Sequence, residues 1–179
     1  MKKLYLAIST LFMAAATHAA TNDVSATLAI TGSITPSEST CTVTLEQPVM
    51  QLGTHDIKDL PDQGHYNWSS SGYTNTINLV GDGCVDKTGS DLGLAISFKG
   101  PADSSVGDSF INTAQGDDAA KGIGVGIYDY AKNPIEANTG TRPTYKNQML
   151  FSAGLVKLKG ETYSAGKVDS SITVEIDRL

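Results

Sequence analysis

Apolar and polar residues alternate with a period of two through most of this chain, and no stretch beyond residue 40 carries a helical period. The runs are CTVTLE (41–46), VMQLG (49–53), NTINLVG (75–81), LGLAISFKG (92–100), IGVGIYDY (123–130), MLFSAGLVKLKG (149–160) and SITVEIDRL (171–179). Successive side chains on a strand point to opposite faces, so each run predicts a strand. Between them lie LPDQG, GDG, KTGSD, GPADSSVGD and AKNPIEANTG, rich in residues that favour turns. Many short strands with such punctuation predict an all-β sandwich. No repeat of fixed period and no low-complexity linker divides the chain. The reading is one sandwich over 40–179, preceded by an arm over 20–39.

The arm contains ATLAITGSITPS (26–37), in which Leu28, Ile30 and Ile34 share one phase and Thr27, Ala29, Thr31, Ser33 and Thr35 the other. Gly32 interrupts the apolar row, and a glycine weakens a strand interior. At the other end, SITVEIDRL places Ile172, Val174 and Ile176 on one face and Thr173, Glu175 and Asp177 on the other. Both are terminal strands with apolar faces. Exposed edges of this kind invite pairing with another chain, so each either folds onto its own sheet or serves assembly.

Residues 1–19 have the layout of a secretory signal peptide: Lys2 and Lys3, the apolar run LYLAISTLFMAAA, and small residues at Thr17 and Ala19. Ala20 is the expected start of an exported chain of 160 residues from the 179. Losing two lysines and no acids takes the net charge from −6 to −8. An acidic chain without a basic run does not suit nucleic acid, where phosphate neutralisation dominates. Cys41 and Cys84 are the two cysteines, and an even pair in an oxidising compartment predicts one disulfide.

Catalytic constellations are not evident. Of three histidines, His55 and His65 lie beyond the signal, in HDIKDLPDQGH, which also holds Asp56, Asp59 and Asp62. Its Pro and Gly mark a loop, so no metal site is expected. Nothing resembles a nucleophile elbow. Gly122, Gly124 and Gly126 alternate with Ile123, Val125 and Ile127, which predicts a strand with one thin face, packed against backbone or another chain, not a phosphate cradle. NWS (67–69) fits a glycosylation sequon, a short pattern of little weight. No enzyme activity and no cofactor are expected.

In this order, the signal peptide, the alternating arm with one glycine, a first cysteine about twenty residues into the exported chain, the second in INLVGDGC, the run GIGVGIYDYAKNPIEANTG, and Gly166 fourteenth from the end resemble the structural subunits (pilins) of chaperone–usher fimbriae of Gram-negative bacteria. The likeness covers essentially the whole chain. It implies an incomplete immunoglobulin-like sandwich lacking its last strand, with an apolar acceptor groove beside the C-terminal strand, walled by Ile172, Val174 and Ile176. It also implies three kinds of partner: a periplasmic chaperone that first fills the groove, an outer-membrane usher, and neighbouring pilin subunits whose arms replace the chaperone by donor-strand exchange, a form of β-augmentation. Leu28, Ile30 and Ile34 would be the inserted knobs, with Gly32 passing a crowded point. Pro36 cannot donate a ladder hydrogen bond, so the inserted strand is expected to end near Thr35. The implied location is a surface fimbrium, contributing to cell adhesion, with a host receptor as a further candidate partner. Pilins usually carry an aromatic residue next to the end, where this chain has Arg178.

The rival reading is a self-contained secreted β-sandwich, or a minor tip subunit, that recognises carbohydrate or a host protein. It would complete its sheet with its own N-terminal strand. A secreted sandwich enzyme of the copper–zinc type ranks third, with two histidines against it.

Overall fold

The computed structural model describes residues 40–85, 88–90 and 92–179, and the backbone of one further strand over 24–31. The signal segment, Gly32, Ile34 and Pro36 lie outside the described residues. The ten strands are β1 (Val24–Thr31), β2 (Thr42–Leu45), β3 (Val49–His55), β4 (Tyr73–Val80), β5 (Leu94–Lys99), β6 (Ser109–Ile111), β7 (Ile123–Asp129), β8 (Thr141–Pro143), β9 (Gln148–Lys157) and β10 (Val168–Arg178). One sheet has the order β3-β1-β10-β5-β8 and the other β2-β4-β9-β7-β6. Each predicted run falls on one of these strands.

Alternation explains the core. Met50 and Leu52 of β3, Leu94, Ile96 and Phe98 of β5, and Ile172 and Val174 of β10 are buried from the first sheet. They meet Ile77, Ile123, Val125, Ile127, Phe151 and Leu155 of the second sheet in one cluster. Phe98 and Phe151 touch across the layers with ring centroids 5.1 Å apart. Burying each such side chain contributes about 1.5–3 kcal/mol.

The second sheet is antiparallel throughout. Its outer face carries a smaller core of Tyr128, Val156 and Leu158, with Tyr66 and Ile111 packed on it. This accounts for the thin face of β7. A Cβ at Gly124 would meet the Phe110 carbonyl and Leu158, and one at Gly126 would meet the Tyr128 ring. The packing partners belong to the chain itself. The Tyr128 hydroxyl donates to the His65 carbonyl at 2.8 Å, holding the 56–67 loop over this face.

A short helix, α1 (Trp68–Ser71), was not expected from the pattern. Four residues are too few to show a period, and what specifies it is the cap: the Asn67 side chain accepts from the Ser69 amide. Gly166 is fixed by close approach, since an added Cβ would run into the backbone of 118–120. That backbone pairs with Lys167.

Candidate assembly groove

The sequence of β10 places Val168, Ser170, Ile172 and Val174 inward and Asp169, Ser171 and Glu175 outward. Its antiparallel ladder to β5 runs from Thr173 opposite Lys99 to Arg178 opposite Leu94. On the other side stands β3, with Met50 and Leu52 buried. These two strands are not bonded to each other. β1 lies between them, parallel to β10 and antiparallel to β3. Take β1 away and the first sheet divides into β3 alone and β10-β5-β8. Residues 40–179 therefore frame a groove one strand wide, with apolar walls and unpaired main-chain groups along both sides.

The register is specific. Leu28 is partnered by Met50 on one wall and Ser170 on the other, and Ile30 by Ile172. These three wall partners, Met50, Ser170 and Ile172, are all buried. The ladder to β3 shifts register between Ser25 and Thr27. Gly53, at φ +71°, supplies the left-handed conformation that such a bulge uses. The ladder to β10 stops at Thr31 opposite Thr173. From Val174 to Arg178, among the described residues, β10 is laddered on its β5 side only.

Of the residues singled out in the sequence, Leu28 and Ile30 lie within β1. Ile172 and Val174 are buried, 0% and 4% exposed; Ile172 pairs with Ile30 of β1, whereas Val174 lies just past the end of that ladder, opposite Phe98 of β5. Ile176 is half-buried, past the end of the β1 ladder and opposite Ile96 of β5. Gly32 and Ile34 fall outside the described residues. The β3 wall was missed, because alternation in VMQLG reveals an inward face but not which strand stands beside it.

Cys41 and Cys84 form the disulfide, with Cα atoms 4.8 Å apart. Cys41 lies just before β2, so the bond fixes the root of the arm to the body of the sandwich. The end of β10 is fastened nearby: Arg178 Nη2 donates to the Gly83 carbonyl at 3.3 Å, and the Leu179 amide to the Gly93 carbonyl at 2.8 Å. At the position next to the end, a guanidinium thus reaches the disulfide loop.

Among the described residues, the groove walls hold no acid–base pair. Elsewhere the loop of histidines and aspartates is occupied structurally. Asp56 caps a turn through the Lys58 amide, Asp62 pairs with Lys157 at 3.4 Å, and His55 bonds the Leu52 carbonyl at 2.6 Å. Among the described residues, no group of three or more His, Cys, Asp or Glu is placed to hold a metal.

A second concavity lies where the ends of β7 and β9 of the second sheet meet β8 of the first. It is a cleft of about 610 Å³ bounded by Tyr130, Tyr145, Leu150, Met149, Thr76 and Gln148. The two tyrosines are each 75% exposed. The charges beside it, Arg142 and Asp129, satisfy each other at 3.1 Å. These residues come from separate segments, and no signal in the sequence joins them.

The sequence profile described as "Fimbrial protein" matches residues 28–177. Among solved structures, the chain is similar to the P pilus rod subunit PapA, with 14% identity over 82% of this chain and 97% of that one and a TM-score of 0.46. No curated protein matches the chain.

Proposed function

The chain belongs to the fimbrial protein family, and from that premise we propose that it polymerises by donor-strand exchange, its arm completing the sheet of a neighbour. The family makes it a structural subunit of a cell-surface fimbrium, not an enzyme, with an immunoglobulin-like fold and other pilin subunits as its associates. The finer reading adds capture by a periplasmic chaperone, handover at an outer-membrane usher, and a role in adhesion. One observation carries it: a strand of sequence 24–31 is laddered on both sides of a gap that the remaining strands leave open. Its pairing with both β3 and β10 supports the arm as the element that the gap takes in. Exchanging an identical element between protomers is a low-cost route to assembly. The rival, a self-contained sandwich, shares the geometry of a chain closed by its own front strand. It differs in having no reason to let that strand go.

The test is deletion of residues 20–38. The shortened chain is expected to bind a chaperone yet fail to extend a fibre, and polymerisation at the parental rate would end the reading. Gly32→Leu is the finer probe. A bulky group at the crowded point should stop fibre growth, and normal growth would remove Gly32 from that role.

A second reading, adhesion, is favoured by the outer cleft. Its volume suits a small ligand, and its exposed rings surround groups with no net charge. We expect Tyr130→Ala with Tyr145→Ala to abolish attachment to host cells while fibres still form; attachment at the parental level would discard the cleft as a receptor site.

A further inference from the structure

We propose that the cleft between the ends of β7 and β9 and strand β8 takes an acidic saccharide, a sugar ring bearing a carboxylate or a sulfate. Tyr130 and Tyr145 would hold the ring, and Lys146 and Lys132 would supply the charge that meets the anion. The proposal rests on the reading of this cleft as a receptor site and adds the class of ligand.

The chain carries a net charge of −6, yet the described charges about this cleft lean the other way. Its lining charges are already matched. Asp129 accepts from the Asn133 amide at 2.9 Å and from Arg142 Nε at 3.1 Å. Arg142 donates its other nitrogens to the Thr141 and Pro134 carbonyls at 2.9 and 2.7 Å. The rim adds two lysines. Lys146 follows Tyr145 in the turn between β8 and β9, exposed, with Nζ 5.4 Å from the centre of the Tyr145 ring. Lys132 lies in the turn after β7, two residues beyond Tyr130. Its Nζ donates to Ser152 Oγ at 3.1 Å and stands 4.8 and 4.9 Å from the centres of the Tyr66 and Trp68 rings. Ser152 is two residues along β9 from Leu150 of the cleft, on the same face. Among the described residues neither lysine is paired with a carboxylate, whereas Lys58, Lys157 and Lys167 each are. A cation placed by rings and a hydroxyl keeps its full charge for an incoming anion. Lys132, Lys146 and Asn147 also have left-handed backbone, at φ +70°, +52° and +57°. L-residues avoid that region, and strain retained in two turns beside one cleft fits a site where side-chain placement matters.

The uncharged surface favours a sugar. Tyr130, Tyr145 and Leu150 are all exposed at the cleft. The C–H face of a pyranose lies flat on such rings, while Thr76 and Gln148 bring polar side chains to the same cleft for its hydroxyls. Beyond Lys132 stands the exposed Trp68 ring, a further stacking surface for a saccharide longer than one unit. A cleft this open would hold a single ring weakly. Each subunit of a fibre presents one copy, however, and linked weak sites gain about 10²–10⁴ in avidity. The site also lies clear of the arm, because β10 and β5 stand between β1 and β8.

Binding to purified fibres tests this, with sialyllactose, sulfated lactose, lactose and a poly-glutamate peptide as probes. An acidic sugar is expected to bind roughly tenfold more tightly than lactose, since each exposed ion pair contributes a factor of about two to five. Preference for either acidic sugar supports the proposal and identifies the anion. Lys146→Glu should reduce that preference to about twofold or less, and Lys146→Arg, which keeps the charge, should retain it. Salt at about 1 M, where charges are screened beyond roughly 3 Å, should remove most of it. Lactose binding as tightly as both acidic sugars, no binding of either acidic sugar, or an undiminished preference in Lys146→Glu overturns the proposal. Poly-glutamate binding as tightly as the acidic sugars also overturns it and makes the cleft a peptide site. The receptor reading beneath it fails on a different result, undiminished attachment to host cells by the Tyr130→Ala, Tyr145→Ala chain.

Discussion

The β2-β4-β9-β7-β6 sheet is antiparallel across every neighbour and carries a second small core on its outer face. The β3-β1-β10-β5-β8 sheet depends, between its edge strand β3 and β10, on a strand from the front of the chain, laddered in parallel on one side. One sheet is closed by antiparallel pairs drawn from within 42–157 and by overlying loops; the other takes in a strand from the front of the chain. A protein that must be both a folded body and a link in a polymer benefits from separating these properties. On the donor-strand reading proposed above, stability that resides in the second sheet would survive departure of the arm.

Removing the disulfide tests that separation with the largest single effect. Cys41 and Cys84 enclose a loop with a separation of 43 residues and tie the entry of β2 to the chain beyond β4. Cys41→Ser with Cys84→Ser is expected to cost about 4 kcal/mol, read as a lower urea midpoint. If the bond serves only the second sheet, the loss should be equal in the full and arm-deleted chains. A larger loss in the full chain would show that it also anchors closure by the arm.

A smaller effect is expected at Gly154, where β9 faces Gly126 of β7. An added Cβ would run into the Ser71 backbone and the Ser70 carbonyl. Gly154→Ala must push α1 away or bend β9, so it is expected to destabilise by about 1–3 kcal/mol. Thermal melting should detect it with or without the arm. An unchanged melt would mean that the outer face is loosely held and the second sheet is less finished than its packing implies.

The sequence made most of this legible where alternation ran for four or more residues. β3, β4, β5, β9 and β10 all stand where their apolar phase placed them, with Ile172 and Val174 inward. β6 and β8 have three residues each, too few to show a phase. β8 also contains Pro143, which suits its place at the sheet edge. Neighbour relations were the harder part. A period of two fixes which side of a strand is buried but not what lies beside it. The role of Met50 and Leu52 as the opposing wall therefore emerged only from the pairing. The cleft of Tyr130, Tyr145 and Leu150 was out of reach for the same reason, since exposed aromatic residues far apart in sequence carry no shared pattern.

The smallest effect concerns the place where the two sheets are clasped far from the groove. Asp129 ends β7 of the second sheet, and Arg142 lies in β8, the outermost strand of the first. Their 3.1 Å ion pair is joined by a bond from Arg142 Nη2 to the Pro134 carbonyl at 2.7 Å. Burial acts to raise the Asp129 carboxyl, but the Asn133 amide and side chain and the Arg142 guanidinium outweigh it and hold the group below the usual carboxylate range. A carboxyl lowered in the folded state stabilises above its unfolded value of about 3.9 and loses that contribution as pH falls through the folded value. Arg142→Ala is expected to cost about 1 kcal/mol at neutral pH, because both side chains are partly open to water. The deficit should shrink on acidification through the carboxylate range. Because the clasp lies at the edge opposite β3, the arm-deleted chain should show the same deficit and the same acid dependence. A deficit that disappears with the arm would mean that the far edge responds to the groove, and the two sheets would then be one cooperative unit, not a fixed body carrying a replaceable strand.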